Sequence, residues 1–257
     1  MVFRKLRSRF GGGTTIDAVV RTPVALPGRP VEGVVEIVAG EFEQEISYVE
    51  MVLQARVEVE TDDGEHDADK RFAGQRVTGP FTLSPGEHRS LPFSFLLPLQ
   101  TPFTVLGPHE LPKVRVGLRT ELEIARSTDK TDLDPLRVAA PPVADRIGSA
   151  LERIGCRFLR SDLEASRVPG AEMPFVQEVE FAPPPGLNMA EVEVVFLAGP
   201  HATDVLLVGD RKAGGFFDGG GDTTQRFTVR HDALGHDWES ELQGRLAELA
   251  RRRGLFG

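Results

Sequence analysis

Gly79 to Pro102 reads GPFTLSPGEHRSLPFSFLLPLQTP, and this stretch decides the fold. Phe81 and Leu83 alternate with polar neighbours, and Leu91, Phe93, Phe95 and Leu97 recur at every second position, the period of a strand with one buried face. Between the two runs, Ser84-Pro85-Gly86-Glu87 joins a proline of preset φ to a permissive glycine, so the spacing predicts two strands connected by a tight turn. Pro98 and Pro102 cannot donate to a ladder, so they end the pairing and turn the chain away. This is the pattern of an antiparallel β-sandwich.

The same period extends outward. Ile16, Ala18 and Val20 alternate with polar residues, Pro27-Gly28 makes a turn, and Val31 to Val38 reads as the next strand. Val49, Met51, Leu53, Ala55, Val57 and Val59 then share one face, while Tyr48, Glu50, Gln54, Arg56, Glu58 and Glu60 share the other, which predicts a sheet with one wet side. Thr61 to Lys70 (TDDGEHDADK) reads as a solvated hairpin tip leading to a strand around Phe72 to Gly79. Val114, Val116, Leu118 and Thr120 alternate again. Asp129, Asp132 and Asp134 read as turn formers before a last short strand, Leu136 to Val138.

Ala139-Ala140-Pro141-Pro142 marks a boundary, after which Ile147, Leu151, Ile154 and Phe158 recur at helical spacing. Strand candidates follow at Phe175 to Phe181, Val192 to Leu197, Val205 to Val208 and Arg226 to Arg230. Trp238, Leu242, Leu246 and Leu249 form the stripe of an amphipathic helix with Asp237 as its N-cap. The expected organisation is all-β: a basic tail over 1–13, a β-sandwich over 14–140, a linker helix over 141–156, a second β-sandwich domain over 157–235 and a C-terminal helix over 236–257.

Composition narrows function mainly by exclusion. A chain of 257 residues with formal charge −9 lacks the basic face that phosphate neutralisation demands, so nucleic acid is not an expected partner. Cys156 is the sole cysteine, which forbids an internal disulfide. No run of apolar residues is long enough to span a bilayer, and Gly11-Gly12-Gly13 stands where a signal peptide would need its apolar core, so the expected location is the cytoplasm.

The sequence offers no catalytic, cofactor or metal motif. His231 and His236 lie five apart, with Gly235 between them and no third ligand at zinc spacing; a hydrolase built on them would have to carry bound metal. The acids of Thr61 to Lys70 miss the ligand spacing of a calcium loop. The glycine-dense stretch Gly214 to Asp222 lacks the ending of a phosphate-binding loop and reads as a hairpin loop. Glu178 and Glu180 share a strand face, as glycosidase carboxylates do, but an alternating outer face produces the same pattern.

Two contact candidates remain. Phe3, Leu6 and Phe10, ringed by Arg4, Lys5, Arg7 and Arg9, suit either a solvated tail or a peripheral membrane or partner anchor. The stripe of Trp238, Leu242, Leu246 and Leu249 suits either docking on its own domain or a homodimer or partner helix.

LPGRPVEGVVEI, FTLSPGEHRSLPFSFLLPLQTP and VGLRTELEIARSTDKTDLDPLRV resemble the Pro-Gly turn, Pro-Phe strand with Leu-Pro exit and closing Asp-rich turn of arrestin-type domains. The wider layout, with a basic start ending in glycines, DKTDLD, a helix carrying IGCRF and then MPFVQEVEF, is similar to the bacterial sporulation-control family of arrestin-like proteins, the Spo-zero-M type. The resemblance implies two arrestin-like lobes and a non-catalytic cytoplasmic regulator or adaptor that binds a protein partner. The alternative is a membrane-surface scaffold anchored by the N-terminal stretch. Tyr48 is the sole tyrosine, so the Pro-Pro-x-Tyr recruitment tail of eukaryotic relatives is missing.

Overall fold

The computed structural model describes residues 13–61, 64–210 and 223–254. The first lobe holds β1 (Thr15–Val20), β2 (Pro30–Val38), β3 (Gln44–Thr61), β4 (Gly64–Thr78), β5 (Phe81–Leu83), β6 (His88–Leu96), β7 (Val105–Leu106), β8 (His109–Glu110), β9 (Val116–Ile124) and β10 (Lys130–Pro135). Helix α1 (Pro142–Arg153) leads into β11 (Arg157–Glu164), β12 (Val176–Ala182), β13 (Glu191–Ala198), β14 (Ala202–Asp210), β15 (Thr223–Arg230) and helix α2 (Trp238–Gly254). The fold is therefore mainly β with two helices.

In the first lobe, the three-stranded sheet β1-β2-β6 packs on a sheet built around β3. The alternation read from β3 is realised: Val49, Met51, Leu53 and Val57 are fully buried, while Arg56 on the other face keeps 42% of its side chain exposed. Each such aliphatic side chain taken from water contributes about 1.5–3 kcal/mol. Gly33 sits inside β2 because a Cβ there would lie 2.4 Å from the Val19 carbonyl oxygen and 2.5 Å from the Phe93 ring. The close approach of two strands demands glycine at that position.

The Gly79 to Pro102 stretch forms strands where expected, with Phe93, Phe95 and Leu97 buried. Its two strands do not pair with each other. β5 pairs with β3 and β6 pairs with β2, so the turn carries the chain from one sheet to the other. Gly86 holds φ +70° in that corner, its amide donates to the Gly40 carbonyl at 2.9 Å, and the Glu87 amide donates to the Ser84 carbonyl at 3.0 Å. A turn motif fixes the local reversal, whereas the partners are chosen by which apolar faces need cover.

Four further expectations are corrected. Residues 64–70 belong to β4, paired with β3 as far out as Thr61↔Gly64, so the acid-rich tip is mostly strand. Asp132 and Asp134 lie in β10 and not in a turn: Asp132 Oδ2 accepts a bond from the Ala18 amide at 2.9 Å, tying the two sheets at one side. Asp129 does act locally, its Oδ1 accepting from the Ile124 amide at 3.3 Å. Phe158 lies in β11, since α1 ends at Arg153. Leu136 to Val138 forms only an isolated parallel bridge with Ala25.

β3 joins the lobes. It pairs with β9 from Ile46 to Ala55 and then meets β11 in parallel at Glu58↔Glu164, which merges the second-lobe strands β11-β12-β13-β14-β15 into the same ten-stranded sheet. The exit after β6 also crosses the seam. Gln100 Nε2 donates to the Gly170 carbonyl at 3.0 Å, and Phe103 and Gln177 exchange two bonds of 2.9 Å.

On one face of the second-lobe sheet, Val179, Phe181, Val194, Val205, Leu207 and Phe227 join the main core with the helices. Pro142 starts α1 and Asp145 lies in its first turn, both suited to a helix N-terminus. Asp237 caps α2 as expected, Oδ1 accepting from the Ser240 amide at 3.1 Å. Arg146 grips Glu239 with bonds of 2.9 and 2.7 Å, Arg153 bonds the same carboxylate, and Trp238 stacks on Phe227 at 6.1 Å. The paired guanidinium bonds hold the Glu239 carboxyl down at about 2.

Candidate functional site

The tail residues Phe3, Arg4, Lys5, Leu6, Arg7, Arg9 and Phe10 and the loop Gly214 to Asp222 lie outside the described residues. The α2 stripe is placed. Trp238, Leu242, Leu246 and Leu249 are all buried against the chain's own second lobe, in the docked arrangement. His231 and His236 do not converge: the first lies 3.2 Å from Thr203 Oγ1, and the second 2.7 Å from Glu241 Oε2. Cys156 is buried, which pushes its thiol up to about 11 and leaves little thiolate near neutrality.

The unexpected chemistry lies on the face of the second-lobe sheet opposite the helices. Strand register sets Asp162 beside Glu178 and Arg160 beside Glu180, while Glu180 in turn stands beside Glu193. Glu164, two residues past Asp162, points the same way. The expected wet outer face is overturned here: Glu178 is 1% exposed, Glu180 3%, Glu193 3% and Asp162 6%. Farther along that face, Val168 on the chain between β11 and β12 packs with Val176, Val195, Leu197, Leu206 and Val208. The connection between β11 and β12 therefore covers the aliphatic part of that face, and the acids beside it are buried as well.

Only part of this charge is balanced. Arg160 Nε bonds Glu180 at 2.8 and 2.7 Å and lies 3.9 Å from Asp162 Oδ2, and Lys113 Nζ is 3.6 Å from that same oxygen. Asp162 Oδ1 and Glu178 Oε1 are buried without a hydrogen-bond partner among the described residues. Burial first, and neighbouring acids second, push the Glu178 carboxyl up to about 10 and Glu164 up to about 7. Glu58 on β3 is raised by burial and by its bond with Glu65. The alternation of VQEVEF shows that Glu178 and Glu180 share a face; nothing in the residues themselves announces that the face is covered.

Beside this cluster, an open groove of about 1230 Å³ runs between the lobes, lined by Arg56, Glu58, Asp67, Lys113, Arg115 and Asp162 among others. One wall is the β3–β4 ribbon. Among the described residues β4 pairs with β3 alone, and residues Gly64 to Asp67 together with Asp69 are exposed. Asp67 and Asp69 flank Arg56 at 3.2 and 3.4 Å yet keep 54% of their side chains exposed. At its root the ribbon is anchored, Phe72 meeting Phe175 of the second lobe edge-to-face at 5.4 Å.

Comparison with known proteins gives a consistent result. The sequence matches the family described as SpoOM protein over residues 3–213. It is 35% identical over 217 residues to the sporulation-control protein spo0M of Bacillus subtilis, covering 83% of this chain and 82% of that protein. The crystal structure of Spo0M from Bacillus subtilis superposes with a TM-score of 0.81 at 30% identity, over 93% of this chain and 100% of that one, and places the fold among arrestin-like proteins.

Proposed function

Since this chain belongs to the SpoOM protein family, we propose that it is a bacterial regulatory protein that acts by docking a protein partner along an open sheet edge. The observation that carries this reading is β4, a fifteen-residue strand that among the described residues has a ladder on one side only, with an outer half open to solvent. Unpaired amide and carbonyl groups in a row are a template for an added strand, and side chains on that strand supply specificity. Glu65, Asp67 and Asp69 make the edge acidic, which discourages self-pairing and suits a partner strand bearing lysine or arginine. Control is exercised through occupancy of this edge, in the cytoplasm, without a reaction at the chain's own residues.

The test begins with a partner isolated on the full-length chain from its native bacterium. His66→Pro removes one backbone donor from the outer half of β4, and Glu65→Lys with Asp69→Lys reverses its charge. Each variant should retain the partner at least about tenfold more weakly, a change of about 1.4 kcal/mol, with an unchanged circular dichroism spectrum. Equal retention by both variants overturns docking on β4.

A further inference from the structure

We propose that Asp162, Glu164 and Glu178 form a binding site for one calcium-type divalent cation at the seam between the lobes. One carboxylate oxygen from each residue lies within 4.8 Å of the other two. Calcium binds oxygens at 2.3–2.6 Å, so opposite ligands of one ion stand roughly 5 Å apart, and this set can close on an ion with side-chain adjustments alone. All three donors are carboxylates, which selects a hard cation over zinc or copper. Glu178, a member of this set that is 1% exposed, carries an Oε1 with no hydrogen-bond partner among the described residues. A buried polar oxygen left unmatched is costly, and a cation would satisfy it.

The surroundings fit an ion as well. Lys113 and Arg160 both approach Asp162 through Oδ2, which leaves Oδ1 without a hydrogen bond. Asp162 also lines the groove, so an ion has a path from solvent. The three donors come from adjacent strands, β11 and β12, in fixed antiparallel register, and Glu164 stands beside Glu58 of β3. Filling the site would tighten the second-lobe side of the junction with β3. The site is independent of the β4 edge, and either proposal can fail without the other.

The test is calorimetric titration of Ca²⁺ into the full chain after dialysis against EDTA, with melting temperature followed in parallel. Expected are one ion per chain, a rise in melting temperature, and binding weakened at least about tenfold by Glu178→Gln and by Asp162→Asn, because affinity follows the number of charged ligands. Asp129→Asn, which alters an exposed acid in a turn, should leave binding unchanged. If Glu178→Gln does not fold, Asp162→Asn and Glu164→Gln carry the test. Neither heat nor a melting shift at millimolar Ca²⁺, undiminished binding in the ligand variants, or tighter binding of Mg²⁺ than of Ca²⁺ overturns the assignment.

Discussion

β3 and β12 show the same alternation and end in different surroundings. In β3 the polar side, Glu50, Gln54 and Arg56, faces water or lies half-buried, while the apolar side is the core of the first lobe. In β12 the apolar side, Val179 and Phe181, joins the main core, with Phe181 beside α1, and the acidic side, Glu178 and Glu180, is just as buried. Period two therefore reports which side chains travel together. Whether their face is wet depends on what covers it, and the alternation itself does not carry that.

The comparison breaks most visibly at the apolar side. Phe181→Ala should cost about 3–5 kcal/mol in urea unfolding, as the deletion of a fully buried ring does, and a loss under about 1 kcal/mol would mean that Phe181 is not packed in the core beside α1 as described. On the acidic side the sign reverses. Glu178→Leu in EDTA should raise stability by about 1 kcal/mol, because an apolar side chain replaces a carboxyl that burial keeps protonated. A clear loss would show that Glu178 is matched by more than the described residues provide. The control is Glu50→Ala on the half-buried side of β3, expected to change stability by less than about 0.5 kcal/mol. Should it match Glu178→Leu in size, the two strands are not different after all.

The smallest expected effect appears only in acid and concerns the helical cover. Glu239 titrates at about 2 in the folded protein, below its ordinary value of 4.5. Its bonds to Arg146 and Arg153 therefore contribute fully above pH 4.5, and their contribution fades as pH falls toward 2. Glu239→Gln should leave the acid side of the stability profile flatter, read by Trp238 fluorescence on α2. An unchanged profile would show that the clasp carries no linkage.

The residues exposed much of the fold and little of the cluster. Strong alternation over an apolar core made β3, β6 and β9 readable. The outer half of β4 reads as a solvated hairpin tip because residues 64–69 are almost all polar, and the exposed strand they form has no apolar face to mark it. β11 is hidden because Phe158 falls in helical phase with Ile147, Leu151 and Ile154, while Gly155 at φ +96° ends that run. The acidic cluster needs β11 set beside β12 and a cover over both, and these are long-range facts. The sheet-crossing corner at Pro85-Gly86 hides for the same reason, as a tight turn looks alike whether or not its flanking strands bond each other.

The strand shared by both lobes also acts as a ruler. Between Ala55, the last residue of β3 paired with β9, and Glu58, which meets β11, only two residues intervene. Adding one residue there would turn over every side chain beyond it and put Val57 on the polar side, upsetting the second lobe's seat while the first stayed intact. Length in this short segment is held more strictly than identity, and a deletion or insertion here should be far less tolerated than any single exchange of its side chains.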